Sequence, residues 1–435
     1  MTTVTEDQIA FDDAGFQSFL DARNEPDWLT ELRRSAWQQF SQMEWPTKRD
    51  EEWMRTDIRL FKLNRFAMPA APLGPQPASV LDQGVDLAGR VVALDAVPQS
   101  SELDPEVAAQ GVLFGGLAEM LQEHGEKLKP FFHRAFDPGT DRFSALHAAF
   151  WSTGCVLYVP RGVVVEKPLH AFSGMSEGGV DLAHTLVIVE DGAEATLLAE
   201  SASDTETSTG FHCGAIELIV GDQANLRYVN LQDWGQGVWH FAHQKAMVGR
   251  DSNLQWTAGA LGSRLSKVNQ HVDLNGVGAN CQVNGVMFTE KKQHLSYHTL
   301  QQHKAPHCTS DFLYKAALQD TSRTVWRGMI KVDEGAQKTD GFQRNDNLLL
   351  SHQARADSIP GLEIEADDVR CTHGSTSGRV DEELIFYARS RGFTRKEAVQ
   401  MIVTGFFQQV FDRVTIESVR EALGLAISRR VRDYE

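Results

Sequence analysis

The sequence lacks any closely spaced pair of cysteines. Its five cysteines are scattered along the chain, at Cys155, Cys213, Cys281, Cys308 and Cys371. This spacing argues against a disulfide framework and against a zinc site built from C-x-x-C pairs. Free thiols are typical of a protein in a reducing compartment, so we expect a cytoplasmic protein.

An excess of basic charge and long apolar runs are missing as well. The formal net charge is −17, which argues against a nucleic-acid partner because phosphate binding needs an excess of Lys and Arg. No apolar run approaches the ~20 residues that are needed to cross a bilayer. The acidic start, MTTVTEDQIAFDD, has neither the basic nor the apolar part of a secretory signal. We therefore expect neither nucleic acid nor a membrane among the partners.

Common catalytic motifs are also absent. The chain contains no G-x-x-x-x-G-K-[ST] and no H-E-x-x-H, so any ATP hydrolysis is expected in another subunit. A β-helical carbohydrate-active enzyme is an alternative of a different class, and it would use carboxylates in a cleft along its face. No such pair stands out in the sequence, and we expect a protein without catalytic activity of its own.

Short β-branched segments interrupted by Gly, Asp or Asn recur from about residue 155. A weak repeat, in which a Gly/Asp break and a small residue separate two apolar strands, starts near residues 187, 218, 247, 272 and 331. The first intervals are about thirty residues, and such a period is typical of a solenoid. With two strands in each coil, the region would form on the order of seven coils. A β-sandwich is the rival fold, and the near-constant period favours the solenoid.

Helical patterns occupy both ends of the chain. After Pro26, apolar residues at helical spacing predict a helix that ends before Pro46. Three helices are predicted near the other end, and the second opens with a capping box of Thr394 and Glu397. We divide the chain into a mainly helical N-terminal domain with an extended linker (1–150), a β-helix core (151–373) and a C-terminal helical domain (374–435). The last domain is expected to dock on the end of the solenoid or on a partner.

Two groups of residues carry possible metal or sulfur chemistry. The first is a run of imidazoles and one thiol: His294, His298, His303, His307 and Cys308. These side chains are suitable ligands for iron and zinc. However, a strand alternates its side chains between two faces, and a turn is expected between His298 and His303. The sequence leaves open whether this group binds a metal.

The second group is Cys371 and His373, two residues apart at the predicted end of the solenoid. On an extended segment the two side chains would point to the same side, which would give a sulfur and nitrogen pair for iron or for sulfur transfer. A buried thiol beside a structural histidine is the simpler interpretation of these two residues alone.

Long motifs around Cys371 and His373 resemble the SufB/SufD family of iron–sulfur cluster assembly proteins. They read KTDGFQRNDNLLL, P-x-LEI-x-ADDVRCTHG and DEELIFYARSRG, and FSALHAAFWSTGCVLYVPRGV and WPTKRDEEWMRTD match more loosely. The resemblance covers most of the chain and is strongest from 300 to 410. It implies a mainly β fold, a right-handed parallel β-helix flanked by N- and C-terminal α-helical domains.

The resemblance also distinguishes between the two paralogues. In SufB the similar motif is Q-C-D-S-L-L, and its cysteine is linked to cluster building. This chain has Asn345 at the position of that cysteine. Gly374 likewise stands where SufB-like chains carry Glu. Both departures indicate a SufD-type subunit. His373 matches the SufD histidine implicated in cluster assembly at the SufB interface, where it would hold iron or the cluster transiently, and Cys371 matches a family cysteine.

Partners and cofactors follow from the resemblance alone. It implies a complex with a SufB-like paralogue, bound through the β-helix, and a SufC-like ATPase, bound through the C-terminal helices. Five aromatic residues of those helices are candidates for contact with SufC: Phe386, Tyr387, Phe406, Phe407 and Phe411. No cofactor is expected to be bound tightly by this chain alone, and reduced flavin belongs to the complex. The nearer alternative is a SufB-like scaffold that dimerises with itself and holds its own cluster.

Overall fold

Two long sheets of mostly parallel strands form the body of the protein. The structure is a computed structural model and describes residues 8–431. Strands hold 42% of the residues and helices 22%, and the strands form a solenoid of about eight turns. The predicted mainly β solenoid with helices at both ends is therefore confirmed. The first seven residues of the acidic start lie outside the described residues.

Sheet I forms one wall of the solenoid, and its strands follow the spatial order β4-β3-β7-β10-β12-β14-β16-β18-β20-β22. Its strands are β3 (Gly89–Leu94), β4 (Val97–Leu103), β7 (Leu169–Met175), β10 (Glu194–Ser203), β12 (Asn225–Asp233), β14 (Asn253–Ala260), β16 (Asn280–Thr289), β18 (Thr309–Leu318), β20 (Asp340–Leu349) and β22 (Arg370–Arg379). All neighbours from β3 through β22 pair in parallel, and β4 pairs with β3 antiparallel.

Sheet II forms the facing wall in the order β5-β6-β9-β11-β13-β15-β17-β19-β21, and β8 also pairs with β11. Its strands are β5 (Leu113–Gly116), β6 (Cys155–Val159), β8 (Gly179–Asp181), β9 (His184–Val189), β11 (Thr209–Val220), β13 (Gly237–Val248), β15 (Leu265–Leu274), β17 (His294–His303), β19 (Arg323–Val332) and β21 (Arg355–Ile364). The chain alternates between the sheets, so each coil contributes one strand to each wall, as predicted.

The Gly/Asp breaks of the repeat are turns that contain a left-handed residue. A residue with positive φ lies two positions before each of six successive sheet I strands: Gly192, Gln223, Asp251, Gly278, His307 and Lys338. They are 27 to 31 residues apart. The position that follows each of them holds a buried small residue, for example Ala193, Ala224 and Ala279. The period in the sequence therefore marks one corner of the solenoid, where the chain reverses into sheet I.

The N-terminal part covers the outer face of sheet II. Its elements are β1 (Gln8–Ala10), paired antiparallel with β2 (Ala67–Pro69), the helices α1 (Asp13–Asp21), α2 (Asp27–Gln42), α3 (Pro105–Ala108), α4 (Leu117–Glu123), α5 (Gly125–Leu128) and α6 (Arg142–Phe150), and the 3-10 turns Glu51–Trp53 and Leu63–Arg65. Aromatic side chains of this part pack on the sheet, with the ring centroids of Phe143 and Phe241 3.7 Å apart. Strands of both sheets occur before residue 151, and β22 continues past residue 373.

The helix predicted after Pro26 is α2, and it ends before Pro46 as expected. Its buried face does not follow the apolar spacing alone, because the apolar Leu32 is exposed and the charged Arg33 is fully buried. The Arg33 guanidinium donates to the backbone oxygens of Ala149 and Trp151 at 3.1 and 3.0 Å. It also pairs with Glu25 at 2.6 Å. A buried charge with these partners is tolerated in a core, which apolar periodicity cannot predict.

Three C-terminal helices form a cap on the flank of the solenoid: α7 (Glu382–Ser390), α8 (Arg395–Phe411) and α9 (Glu417–Arg430). The capping box of Thr394 and Glu397 is present at the start of α8. The cap packs against outward apolar side chains of sheet I such as Phe288 and Leu313. Docking on the end of the solenoid was therefore the wrong expectation, because the apolar patch that buries the cap lies on the sheet face.

Among residues 8–431, every helix is too short or too polar to cross a membrane.

Candidate functional site

The solenoid ends at two strands that lack a following coil within the described residues. β21 pairs only with β19, and β22 pairs only with β20. Each of these strands is ten residues long. Their outer edges therefore present unpaired backbone N–H and C=O groups, which are a template for pairing with another chain. This end of the solenoid consequently has twenty strand residues with one edge open to backbone pairing.

Cys371 and His373 both lie on β22 at this open end. They are in register with Gly341 and Gln343 of β20. Gln343 faces the lumen, because its side-chain nitrogen donates to the oxygens of Gly328 and Gly361 at 3.3 and 2.9 Å. In parallel strands in register, residues that are paired point to the same face. Cys371 and His373 are therefore on the lumen-facing row, and His373 is exposed because no further coil covers it.

The two side chains have different environments. Cys371 is half-buried and packs against Ile330, Val332 and Ala336. Burial raises the pKa of its thiol, so the thiol stays protonated near neutral pH and is a weak nucleophile and metal ligand. His373 is in contact with solvent, where its imidazole is available to a ligand. The structure thus favours His373 over Cys371 for chemistry at this end.

Asn345, which stands at the position of the SufB-type thiol, lies one coil inside the open end. It is buried, and its amide donates to the backbone oxygen of Tyr314 at 3.3 Å. Asn347 in turn donates to the Asn345 side-chain oxygen at 2.8 Å. The register pairs Asn345 with Ser375, two residues beyond His373. The terminal coils therefore have a polar lumen, in contrast to the apolar core of the earlier coils.

The run of four histidines and Cys308 does not form one site. The expected turn after His298 is absent, because β17 extends from His294 through His303. His303 faces the lumen, where its Nε2 lies 2.7 Å from the Ser310 hydroxyl oxygen. His294 and His298 are an odd number of positions from His303 on the same strand, so their side chains point to the opposite, outer face. His307 is exposed at a turn with φ +60°, and Cys308 is the buried corner residue that follows it.

A metal site is therefore not supported at this run. Within residues 8–431, no group of three or more His, Cys, Asp or Glu side chains is arranged to hold a metal ion. The five residues are close in sequence, but the alternation of the strand and the left-handed turn direct them to different sides of the solenoid.

The aromatic residues of the cap fall into two classes. Phe386 and Tyr387 on α7 are exposed, at 75% and 58% of their surface. Phe407 and Phe411 are instead buried in the core between α8 and sheet I, so they are packing residues and not available to a partner. Phe406 is half-buried, and its ring lies 4.8 Å from the Lys315 ammonium group. Leu384, on the same helix as this pair, is also exposed and enlarges the apolar surface that a partner can contact.

Sequence reasoning missed a buried carboxylate that joins the N-terminal part to the solenoid. Glu217 on β11 accepts hydrogen bonds from the backbone nitrogens of His133, Ala135 and Phe136 at 2.8, 2.6 and 2.9 Å. His184 lies 3.0 Å from the same carboxylate and 3.0 Å from His147. No local pattern marks these residues, because the partners are more than 30 positions apart in the sequence. Both oxygens of the Glu217 carboxylate are occupied by these contacts, which indicates a structural role.

Comparison with known proteins identifies matches over nearly the whole chain. The family model described as "SUF system FeS cluster assembly, SufBD core domain" matches residues 172–406, more than half of the chain. The model "SufBD protein N-terminal region" matches residues 17–171.

Individual relatives agree with these matches. An iron–sulfur cluster assembly SufBD family protein of Staphylococcus saprophyticus is 28% identical over 316 residues, which cover 72% of this chain and 68% of the relative. A protein of the same description from Staphylococcus aureus strain MRSA252 is 25% identical over 412 residues, which cover 91% of this chain and 88% of the relative.

The buried His303 leads to a prediction on stability and pH. Burial lowers its pKa to about 4, whereas an unfolded histidine has a pKa of about 6.5. Between these values the unfolded chain binds a proton that the folded chain does not, so the free energy of unfolding falls as the pH falls. We expect the free energy of unfolding to fall between pH 7 and pH 5 by about 2 kcal/mol less in His303→Gln than in the wild type.

Urea unfolding at both pH values measures this difference. His352→Gln, which changes an exposed histidine, is the matched control and should keep the wild-type loss. Equal pH dependence in His303→Gln and in the wild type would contradict the prediction.

Proposed function

Because the chain belongs to the SufBD family of iron–sulfur cluster assembly proteins, we propose that it is a SufD-type scaffold subunit that acts with a SufB-like paralogue and a SufC-like ATPase. The observation that carries the proposal is the open end of the solenoid, where an exposed histidine lies on the lumen row of an unpaired strand. In this proposal the end joins a second β-helix, and the iron–sulfur cluster is the cargo that is built at the seam.

The role of His373 follows from what its environment permits. Neutral imidazole is a competent iron ligand, and the side chain is exposed at the end of the lumen row. Cys371 is half-buried beside Ile330 with a raised pKa, so it is a poor source of thiolate. Asn345 cannot supply a thiolate at all. The sister chain would therefore provide the thiolates, and His373 would help to position iron or sulfur beside them.

The two edge strands support pairing with a second β-helix. The Arg370 nitrogen donates to the Thr339 oxygen, toward β20. Because strand residues alternate in direction, the N–H groups of Cys371, His373 and Ser375 point to the free edge. Beside them, Leu362 and Ile364 on β21 leave 39% and 40% of their surface exposed. A partner strand on this end would satisfy the backbone groups and bury both apolar side chains.

The exposed surface of α7 supports the ATPase as the second partner. Phe386 and Tyr387 are large aromatic side chains with little burial on a cap that already has its own core. Aromatic anchors of this kind dominate the binding energy of many protein interfaces. In the proposal, ATP-driven movement of the SufC-like subunit moves the cap. The cap transmits this movement to sheet I, and sheet I transmits it to the seam between the two β-helices.

Reduced flavin remains a proposal at the level of the complex. The cavity in the solenoid lumen beside Gln232 and Gln244 has a volume of about 80 Å³, whereas ligand pockets usually have roughly 300 Å³ or more. The lumen does not fit a flavin ring system, and we assign no lumen residue to it. The five cysteines are free, in keeping with the reducing cytoplasm as the proposed site of action.

His373→Ala should leave the fold and the complex intact but lower cluster formation by about tenfold or more, because an iron-binding group is lost. The measurement is iron and acid-labile sulfide per complex after anaerobic reconstitution with the SufB-like and SufC-like subunits. His352→Ala removes an exposed histidine from a turn and serves as the matched control. Full cluster yield in His373→Ala would reject the proposed role. The same amount of cluster on the isolated wild-type chain would instead favour the SufB-like homodimeric scaffold.

Leu362→Asp combined with Ile364→Asp should weaken binding to the SufB-like paralogue by at least about tenfold, because two large apolar contacts are replaced by buried charges. Co-purification and analytical ultracentrifugation give the readout. The control is Val164→Asp with Val277→Asp, which are apolar residues of similar exposure, 51% and 44%, elsewhere on the surface. Equal weakening by both pairs would argue against an interface at the open end.

Phe386→Ala combined with Tyr387→Ala should cost about 2 kcal/mol or more of the free energy of binding to the SufC-like ATPase, because aromatic anchors are removed. Titration calorimetry with the purified ATPase measures the loss. Leu60→Ala with Leu73→Ala, which are exposed apolar residues of the N-terminal part, should bind as the wild type does. Unchanged affinity in the aromatic variant would exclude this face of α7.

A further inference from the structure

A pocket lies where the N-terminal part meets the first residues of the sheet II strands. Among the described residues that line it, all the charged ones are basic. Its volume is about 270 Å³. Three cationic side chains line it, Lys62, Arg65 and Arg264, and among residues 8–431 no Asp or Glu does. The chain as a whole carries a net charge of −17. A local excess of positive charge in such an acidic protein requires an explanation of its own.

The three cations also have no ion-pair partner among residues 8–431. None of the salt bridges within the described residues involves Lys62, Arg65 or Arg264, whereas the nearby Arg59 pairs with Asp57 at 2.7 Å. Three unpaired like charges around one concavity repel one another, and an anion bound between them would relieve that repulsion.

The walls of the pocket are anchored by aromatic packing. Phe61 lies between Phe211 and Trp239, with ring centroids 5.3 and 5.5 Å away. Phe66 packs on Phe211 at 5.3 Å. These two rings hold both ends of the 3-10 turn Leu63–Arg65, so the backbone that carries Lys62 and Arg65 has a fixed position.

The third cation is held from the solenoid side. The Arg264 guanidinium carbon lies 5.1 Å from the centre of the Trp239 ring, and Trp239 is buried. The Arg264 backbone nitrogen donates to the Val238 oxygen at 2.8 Å. Stacking on an indole ring orients the planar guanidinium, so that less conformational freedom is lost when it binds a ligand.

The floor of the pocket consists of small residues at the strand starts. Gly178, Gly210 and Gly237 contribute to it, and Gly237 is in register with Thr209 of the neighbouring strand. A Cβ atom at Gly178 would meet no other atom within 4 Å, so a ligand can approach the backbone there, whereas Cβ atoms at Gly210 and Gly237 would meet Met175 and Thr209. Glu177 does not line the pocket, but its carboxylate contacts the lining residue Thr209. It accepts a hydrogen bond from the Thr209 backbone nitrogen at 3.0 Å. This contact and a second one from the Thr209 hydroxyl occupy that carboxylate.

From this geometry we propose that the pocket binds a compact phosphate-bearing anion. A guanidinium presents a fork of donors that matches phosphate oxygens, and the ammonium group adds a third positive charge. Three cations balance a diphosphate better than a single carboxylate, and the volume suits a small polyanion. The ligand is free inorganic pyrophosphate or the phosphate chain of a nucleotide, which share this chemistry. The inference does not depend on the proposed scaffold role.

The test uses pyrophosphate, inorganic phosphate and ADP as probes on the full chain, with sulfate as a comparison anion at matched ionic strength. Titration calorimetry and ³¹P NMR line broadening measure the affinity. We expect saturable binding of pyrophosphate that is tighter than that of sulfate. Lys62→Gln/Arg65→Gln/Arg264→Gln should weaken it by about tenfold or more, the loss expected when charge-assisted hydrogen bonds are removed. ADP binding as tightly as pyrophosphate identifies the nucleotide, and weaker ADP binding identifies the free anion.

A control with the same change in charge is Arg34→Gln/Arg49→Gln/Lys292→Gln, which alters exposed basic residues outside the pocket. It should bind pyrophosphate as the wild type does. Equal weakening by both triple variants, or equal affinity for sulfate and pyrophosphate, would overturn the proposal in favour of non-specific attraction.

Glu6 and Asp7 directly precede the lining residue Gln8 in the sequence, so the titration is repeated with Glu6→Gln/Asp7→Asn. Unchanged or tighter binding in that variant supports a site for an external anion. Absence of saturable binding in both the wild type and that variant would overturn the proposal.

Discussion

The structure depends on the pairing of each coil with the next through backbone hydrogen bonds. From β10 through β22 the sheet I strands pair in register over eight to ten residues, and from β11 through β21 the sheet II strands pair in register over ten to twelve. Every internal strand has both edges satisfied by its neighbours. The cost of this arrangement falls on the last coil, which has one satisfied edge and one open edge. The placement of β21, β22 and His373 at a surface follows directly from this constraint.

The two helical parts leave that end uncovered. The N-terminal part packs on the outer face of sheet II, where Glu217 binds three backbone nitrogens of the segment that includes Ala135. The cap packs on the outer face of sheet I through residues such as Phe407. Both sheets therefore have an inner apolar face toward the core and an outer face under a helical part. The end of the lumen remains accessible, and its lining changes from apolar to polar over the last coils.

Much of the fold could be predicted from the sequence because its signals are local. The left-handed residue before six successive sheet I strands favours a Gly, Asp, Asn or another tolerant residue in a short turn, and this produces a visible period. The capping box at Thr394 is local in the same sense. Burial of Arg33 and the contacts of Glu217 depend on distant partners, and no pattern within one segment reveals them. The same limit explains the histidine run, because residues that are close in sequence are separated by strand alternation.

The candidate site was accessible to sequence reasoning only through family resemblance. Cys371 and His373 form a weak signal alone, and their position on the lumen row became clear from the pairing of His373 with Gln343. The division of the cap aromatics into exposed and buried also needed the structure, since Phe386 and Phe407 are equally apolar in the sequence. The cationic pocket combines residues from six separate segments, among them those around Lys62, Trp239 and Arg264, and only tertiary structure brings these segments together.

The recurring interval between left-handed corner residues restricts how such a scaffold changes its length during evolution. A gain or loss of one residue inside a strand would exchange its inner and outer faces, whereas the turns between strands accommodate intervals of different length while the strands stay in register. A duplication or deletion of one whole interval, 27 to 31 residues here, preserves both the faces and the register. Homologues are then expected to differ by complete coils in the middle of the solenoid while the chemistry of the terminal strands stays the same.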